Sequence, residues 1–245
     1  MERSVTFHSN GSVIRGNLRY ACENAPCVVC LHGLEGGKDK GKWPLVASKF
    51  AEAGYASLRF NFRGCGRGGE KSEGKFEDTT LTARIRDYKS SLNFLQSLKW
   101  IDVDRIGTIG SSLGGMVAIS GRDERVKTIV TMSSPYKVPR YGEPRIPEKR
   151  GDYYILPSGR RFKEGFYEDI RGYDILEDVK EAPPLLIIHG TSDEIVPPEH
   201  AQTLYDHAWK PKRMEMIKGA DHAFSESRHL EEALQISIDW FERYL

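Results

Sequence analysis

Apolar positions along the chain recur in two rhythms that take turns. Short runs without polar alternation, at 27–31, 55–60, 106–109, 126–132 and 184–190, predict strands covered on both faces. Between them, apolar residues return at helical spacing. In 42–54 these are Trp43, Val46, Ala47 and Phe50, with Gly54 as the stop. A longer helix, capped by Asp78 or Thr79, carries Leu81, Ile85, Tyr88, Leu92 and Leu95 on one stripe. The segment 113–119 is small and apolar throughout, as a buried helix would be. A helix over 198–209, a strand over 213–217 and a helix over 226–244 complete the chain, the last with Leu230, Leu234, Ile238 and Phe241 aligned. At the start, 5–18 reads as a hairpin turned by Asn10-Gly11. Strands alternating with helices predict an α/β fold: a mostly parallel twisted sheet flanked by helices on both faces.

The alternation breaks after Pro135. Residues 136–176 hold Tyr136, Tyr141, Tyr153, Tyr154, Phe162, Phe166, Tyr167 and Tyr173, together with cations that include Arg140, Arg145, Lys149, Arg150, Arg160, Arg161 and Lys163. An interruption this long inside a compact domain reads as a lid or binding loop. The expected organisation is one domain over 1–245 with a small cap inserted at 136–176. The cap's aromatics, Tyr136, Phe166 and Tyr167 first among them, are candidates to contact substrate.

Charge narrows the choice of partners. Thirty-six basic and 35 acidic residues give a formal net charge of +1, which removes the simplest case for nucleic acid or an acidic membrane surface. No apolar run approaches the length of a membrane span, and the N-terminus lacks a signal-peptide core, so a cytoplasmic location is expected. The sequence leaves the oligomeric state, a homodimer included, open. Cys27 and Cys30 form a C-x-x-C, but three residues apart on a strand they face opposite sides and read as buried packing. Cys65, in a glycine-rich loop, is expected to be exposed. Gly64, Gly66 and Gly69 satisfy G-x-G-x-x-G, yet no helix follows directly, so a dinucleotide cofactor is not expected.

Candidate chemistry sits between the strand at 106–109 and the helix at 113–119. Gly110-Ser111-Ser112-Leu113-Gly114 fits G-x-S-x-G, a tight strand-to-helix turn that presents the central serine, Ser112, above a helix N-terminus. A serine hydroxyl needs a base, and the base needs a carboxylate to fix its tautomer. Of seven histidines, His222 sits on a loop after the last strand. His200, His207 and His229 fall within helices and read as solvated surface, while His32 and His189 end strands. Asp193, just after the strand at 184–190, lies at the same sheet edge. It is preferred as the acid over Asp221, which adjoins the histidine, and over Glu194.

Taken together, Gly110–Gly114, His32-Gly33, Asn61-Phe62-Arg63-Gly64, Gly190-Thr191-Ser192-Asp193 and Asp221-His222 resemble the α/β-hydrolase superfamily. Within it the chain is most similar to serine esterases of the feruloyl (cinnamoyl) esterase and monoacylglycerol-lipase-like type, which carry a small cap. That resemblance implies Ser112 as nucleophile, Asp193 as acid, His222 as base, and the backbone N–H groups of Leu34 and Leu113 as the oxyanion hole. It implies a small-molecule ester substrate, with no metal or organic cofactor. Three alternatives stay open: a thioesterase or acyltransferase, a peptidase of the prolyl-oligopeptidase kind (where a large N-terminal domain is usual, and is not expected here), and a non-catalytic binding module. The loop at 63–70 is longer and richer in glycine than its counterpart in the superfamily.

Overall fold

A computed structural model describes residues 1–138 and 147–245; Tyr141, Arg140 and Arg145 lie outside the described residues. In chain order the elements are β1 (Glu2–Ser9), β2 (Ser12–Arg19), β3 (Ala25–Leu31), α1 (Trp43–Glu52), β4 (Ala56–Phe60), α2 (Leu81–Gln96), β5 (Ile101–Ser111), α3 (Leu113–Ser120) and β6 (Val126–Met132). The cap elements β7 (Glu148–Arg150), β8 (Tyr153–Ile155), β9 (Arg161–Lys163), α4 (Gly165–Ile170) and α5 (Ile175–Asp178) come next. The chain closes with β10 (Leu185–Gly190), α6 (Glu199–His207), β11 (Lys212–Ile217) and α7 (Ser227–Tyr244).

Eight strands form one sheet in the order β1-β2-β4-β3-β5-β6-β10-β11. The β1–β2 and β2–β4 pairs are antiparallel, and every later pair is parallel. The first hairpin turns at Asn10 and Gly11, both at positive φ, which matches the right-handed twist of its strands. All residues of β4 and β10 are buried, as their unalternating sequences require. The two faces carry separate cores: α2, α3, α6 and the cap on one side, α1 and α7 on the other. Cys27 belongs to the first core and Cys30 to the second, so the two thiols stand on opposite faces of β3.

Three local expectations are corrected. Helix α2 is capped by Thr80, whose hydroxyl accepts from the Ala83 N–H at 3.0 Å. Asp78 instead ends a short 3-10 turn, Phe76–Asp78, and Thr79 is buried behind it. Cys65 is fully buried, not exposed, because its loop folds inward and places Sγ 3.8 Å from the Arg84 guanidinium. Gly64 makes that fold possible: at φ +72° a Cβ there would sit 2.3 Å from the Phe76 nitrogen. Among the helical histidines only His207 is exposed. His229 is buried and His200 half-buried, because each lies on the inward side of its helix.

The cap is a three-stranded antiparallel sheet, β7-β8-β9, followed by α4. An aromatic cluster of Tyr154, Phe162, Phe166 and Tyr167 holds it together, with ring centroids 4.6–5.7 Å apart. Tyr173 and Asp169 tie it to α2, the Tyr173 hydroxyl lying 2.6 Å from Thr82 Oγ1 and the Asp169 carboxylate 2.9 Å from the Thr82 N–H. Among the described residues no helix is long and apolar enough to cross a membrane.

Candidate active site

Strand β5 runs into α3 through Ser112, which sits at φ 54° and ψ −125°. A non-glycine residue held there costs about 1–3 kcal/mol and persists only where its surroundings impose it. They do so here through the flanking glycines. A Cβ on Gly110 would lie 2.4 Å from the Gly114 carbonyl oxygen, and one on Gly114 would lie 2.1 Å from that of Leu31. Strand, turn and helix therefore pack backbone to backbone. The Ser112 N–H donates to Met132 O at 2.9 Å, fastening the turn to β6.

Asp193 follows β10 and is held by three donors, with His189, whose Nε2 bonds Val196 O at 2.9 Å, close beside it. Its Oδ1 accepts from the N–H groups of Ile195 (2.9 Å) and Val196 (2.8 Å). Its Oδ2 lies 2.8 Å from His222 Nδ1 and 3.2 Å from His189 Nε2. Burial pushes this carboxyl up, but the neighbouring His189, the hydrogen bond and attraction of His222 and the Val196 N–H outweigh it. The group is held well below the ordinary carboxylate range, as an anion. His222 Nδ1 thus donates to Asp193, which leaves Nε2 as the nitrogen free to accept a proton. The rival Asp221 turns the other way and accepts from the Ser225 N–H at 2.8 Å, while Glu194 stays exposed.

Ser112 stands where two cavities meet. One, of about 550 Å³, is largely apolar, with Leu113, Leu156, Phe162, Phe166 and Tyr167 in its wall. The other, of about 980 Å³, is lined by both Ser112 and His222, along with Gly33, Leu34 and Gly36. Phe166 and Tyr167 therefore border the space next to the serine. Tyr136 does not line it; the ring packs on His200 at a centroid distance of 4.6 Å, and His200 forms part of the apolar wall instead. Burial, the charge of His189 and that of Lys137 lower the His200 ring to about 4, so it enters that wall neutral.

The two candidate oxyanion donors have different origins. Leu113 is the first residue of α3, so its N–H has no acceptor within the helix. Leu34 lies on a loop after β3, next to Gly33, whose Cβ would sit only 3.1 Å from that of Ser112. The Gly33 carbonyl belongs to the same peptide unit as the Leu34 N–H, and in a trans peptide the two point in opposite directions. Three donors grip that carbonyl from behind: His32 Nδ1 at 2.7 Å, Arg84 Nη1 at 3.2 Å and the Gly36 N–H at 3.2 Å. Arg84 Nη2 also holds the next carbonyl, Leu34 O, at 2.9 Å. The His32 tautomer follows from its partners: Nε2 accepts from the Phe62 N–H, so Nδ1 carries the proton. Burial first, then the neighbouring Arg84 charge, depress this ring to about 3, so it is neutral near pH 7.

Arg84 and His189 also belong to this site, beyond the residues the sequence points to. Arg84 is fully buried on α2, its guanidinium 4.7 Å from the Phe62 ring centroid and its Nε donating to Thr79 Oγ1 at 3.0 Å. A signal was present: a cation three residues after Leu81, on the apolar stripe of α2. His189 shows no such mark in the sequence, because a histidine ending a buried strand looks like any other.

The profile of the prolyl oligopeptidase family (Peptidase_S9) matches residues 44–245. Among curated relatives, the uncharacterised protein YfhR of Escherichia coli K12 is 28% identical over 208 residues, covering 82% of this chain. The chain spans about 65% of that relative's length. The putative esterase YitV of Bacillus subtilis is 26% identical over 237 residues, covering 90% of this chain and 89% of the relative. Among solved structures, Est1E of Butyrivibrio proteoclasticus with ferulic acid bound superposes with a TM-score of 0.86 at 23% identity, covering 98% of each chain. The esterase domain of a Rhodothermus marinus protein gives 0.75 at 23% identity, covering 100% and 99%. The fold is that of the α/β-hydrolases.

Proposed function

The chain belongs to the prolyl oligopeptidase family, and on that premise we propose that it is a serine hydrolase. It cleaves carboxylic esters of small to medium acyl or aromatic acids through an acyl-enzyme. One observation carries this reading: a serine at positive φ on a strand-to-helix turn shares a cavity wall with a histidine whose Nδ1 is held 2.8 Å from a buried carboxylate. The name of YitV, a putative esterase, agrees with it.

Each residue then has a task. His222 Nε2 takes the proton of the Ser112 hydroxyl as its oxygen attacks the ester carbonyl. Asp193 fixes the tautomer of the ring and stabilises its protonated form. The Leu34 and Leu113 N–H groups meet the tetrahedral oxyanion, each such donor being worth about 3 kcal/mol. Arg84 and His32 are positioning residues, because they act through the Gly33–Leu34 peptide. The protonated His222 passes its proton to the alcohol oxygen as the C–O bond breaks. A water deprotonated by the same ring then releases the acid. The acyl group occupies the cavity of about 550 Å³, within the range of small-ligand sites and bounded by the cap aromatics.

The family's name favours a second reading, in which the same groups cleave a peptide amide. Parallel assays on 4-nitrophenyl butyrate and on peptide anilides separate the two. Ser112→Ala should abolish turnover of the ester while leaving the circular dichroism unchanged. Retained turnover in that variant would overturn the assignment.

A further inference from the structure

Beyond the catalytic cavity lies a third space of about 1040 Å³, whose walls are the loop after β3, the glycine-rich loop after β4 and the tip of the cap hairpin. Six cations line it: Lys40, Arg67, Lys71, Lys75, Arg160 and Arg161. Its three carboxylates are already engaged. Glu70 lies 2.8 Å from Lys38 Nζ, Asp39 3.4 Å from Arg59 Nη2, and Glu77 3.2 Å from Arg161 Nη2. Among the described residues, Lys40, Arg67, Lys71, Lys75 and Arg160 have no carboxylate within 4 Å. In a chain of net charge +1 this is a strong local excess, and a concave wall concentrates its field.

The cavity also adjoins the site. Gly36 and Lys40 border both it and the space shared by Ser112 and His222, just as Ser112 and Leu34 border both that space and the apolar cavity. Apolar pocket, serine and cationic pocket therefore follow one another. We propose that the cationic cavity binds a phosphate-bearing leaving group, so that the preferred substrates are esters or thioesters with an apolar acyl part and a phosphorylated alcohol or thiol part. This rests on the reading of Ser112 as nucleophile. It gives the loop at 64–69 a purpose, since Gly64, Gly66 and Arg67 form part of the cavity wall.

Two measurements test it separately. The first compares kcat/KM for 1-butyrylglycerol and its 3-phosphate, in the wild type and in a variant combining Arg67→Ala, Lys71→Ala and Lys75→Ala, all at exposed positions. At low ionic strength the wild type should favour the phosphorylated ester by about tenfold or more, a ratio that falls toward one in the variant and in high salt. A wild-type ratio near one, or the same preference in the variant, overturns the proposal while leaving the serine hydrolase intact. The second measurement is calorimetric titration with inorganic pyrophosphate, which needs no turnover. Binding to the wild type that the variant loses supports the subsite even if neither ester is cleaved, in which case the hydrolase reading alone fails. No binding, or equal binding by both proteins, overturns the subsite.

Discussion

Arg84 is the residue whose replacement says most about how this site is held. Arg84→Met keeps a long, unbranched side chain on the buried face of α2 but removes the donors to Gly33 O, Leu34 O and Thr79 Oγ1. Gly33 O keeps His32 and the Gly36 N–H, whereas Leu34 O has no other donor among the described residues. A fully buried carbonyl left unpaired costs about 1–3 kcal/mol; Leu34 is half-buried and borders the cavities, so the cost here is smaller, and it is further offset because a desolvated guanidinium is removed. The catalytic effect has a ceiling. Losing an oxyanion donor outright costs about 3 kcal/mol, or some 10²–10³ in kcat. With part of the grip retained, about half of that is expected, so kcat for 4-nitrophenyl butyrate should drop roughly 10- to 30-fold. KM should stay within about twofold, because the donor acts on charge that develops in the transition state. Arg84→Lys, which supplies one point charge in place of a fork, should recover only part of the loss. A folded Arg84→Met enzyme with unchanged kcat, or with the whole effect in KM, would refute a positioning role.

Two further outcomes follow from packing and from buried rings. Gly114→Ala drives a Cβ against the backbone of Leu31 and should destabilise the fold by about 2 kcal/mol or more, lowering Tm by roughly 4–8 °C; Gly69→Ala, with nothing within 4 Å, should leave Tm unchanged in the same calorimetric scan. His32 and His200 are held to about 3 and about 4 against an ordinary 6.5, so the unfolded chain takes up protons that the folded one refuses. Stability is therefore lost as pH falls from 6.5 toward 3. His32→Asn should flatten the pH dependence of the urea midpoint over that window by up to about 1.4 kcal/mol per pH unit, and an unaltered slope would contradict a neutral buried ring.

The sheet was legible because its strands are covered on both faces and so appear as unbroken apolar runs; β4 and β10 are buried at every residue. The serine turn was legible for a related reason, since backbone packed on backbone admits only glycine at 110 and 114. Less of the cap could be read, because strands of three residues such as β7 and β9 are too short to show a period. Glycine-rich composition around Cys65 suggests an open loop, whereas positive φ at Gly64 and Gly66 lets this one fold inward. Tyr136 packs on His200, and it is the helical histidine that lines the apolar cavity. The grip of Arg84 was hidden for a deeper reason. Its partners on the loop are backbone carbonyls, which carry no side-chain signature.

The most direct test of the account is mass-spectrometric mapping of the protein after reaction with a fluorophosphonate. A single adduct on Ser112, strongly slowed by His222→Ala and Asp193→Asn, is the predicted result. Labelling at another residue, or labelling of Ser112 at an unaltered rate without His222, would contradict it.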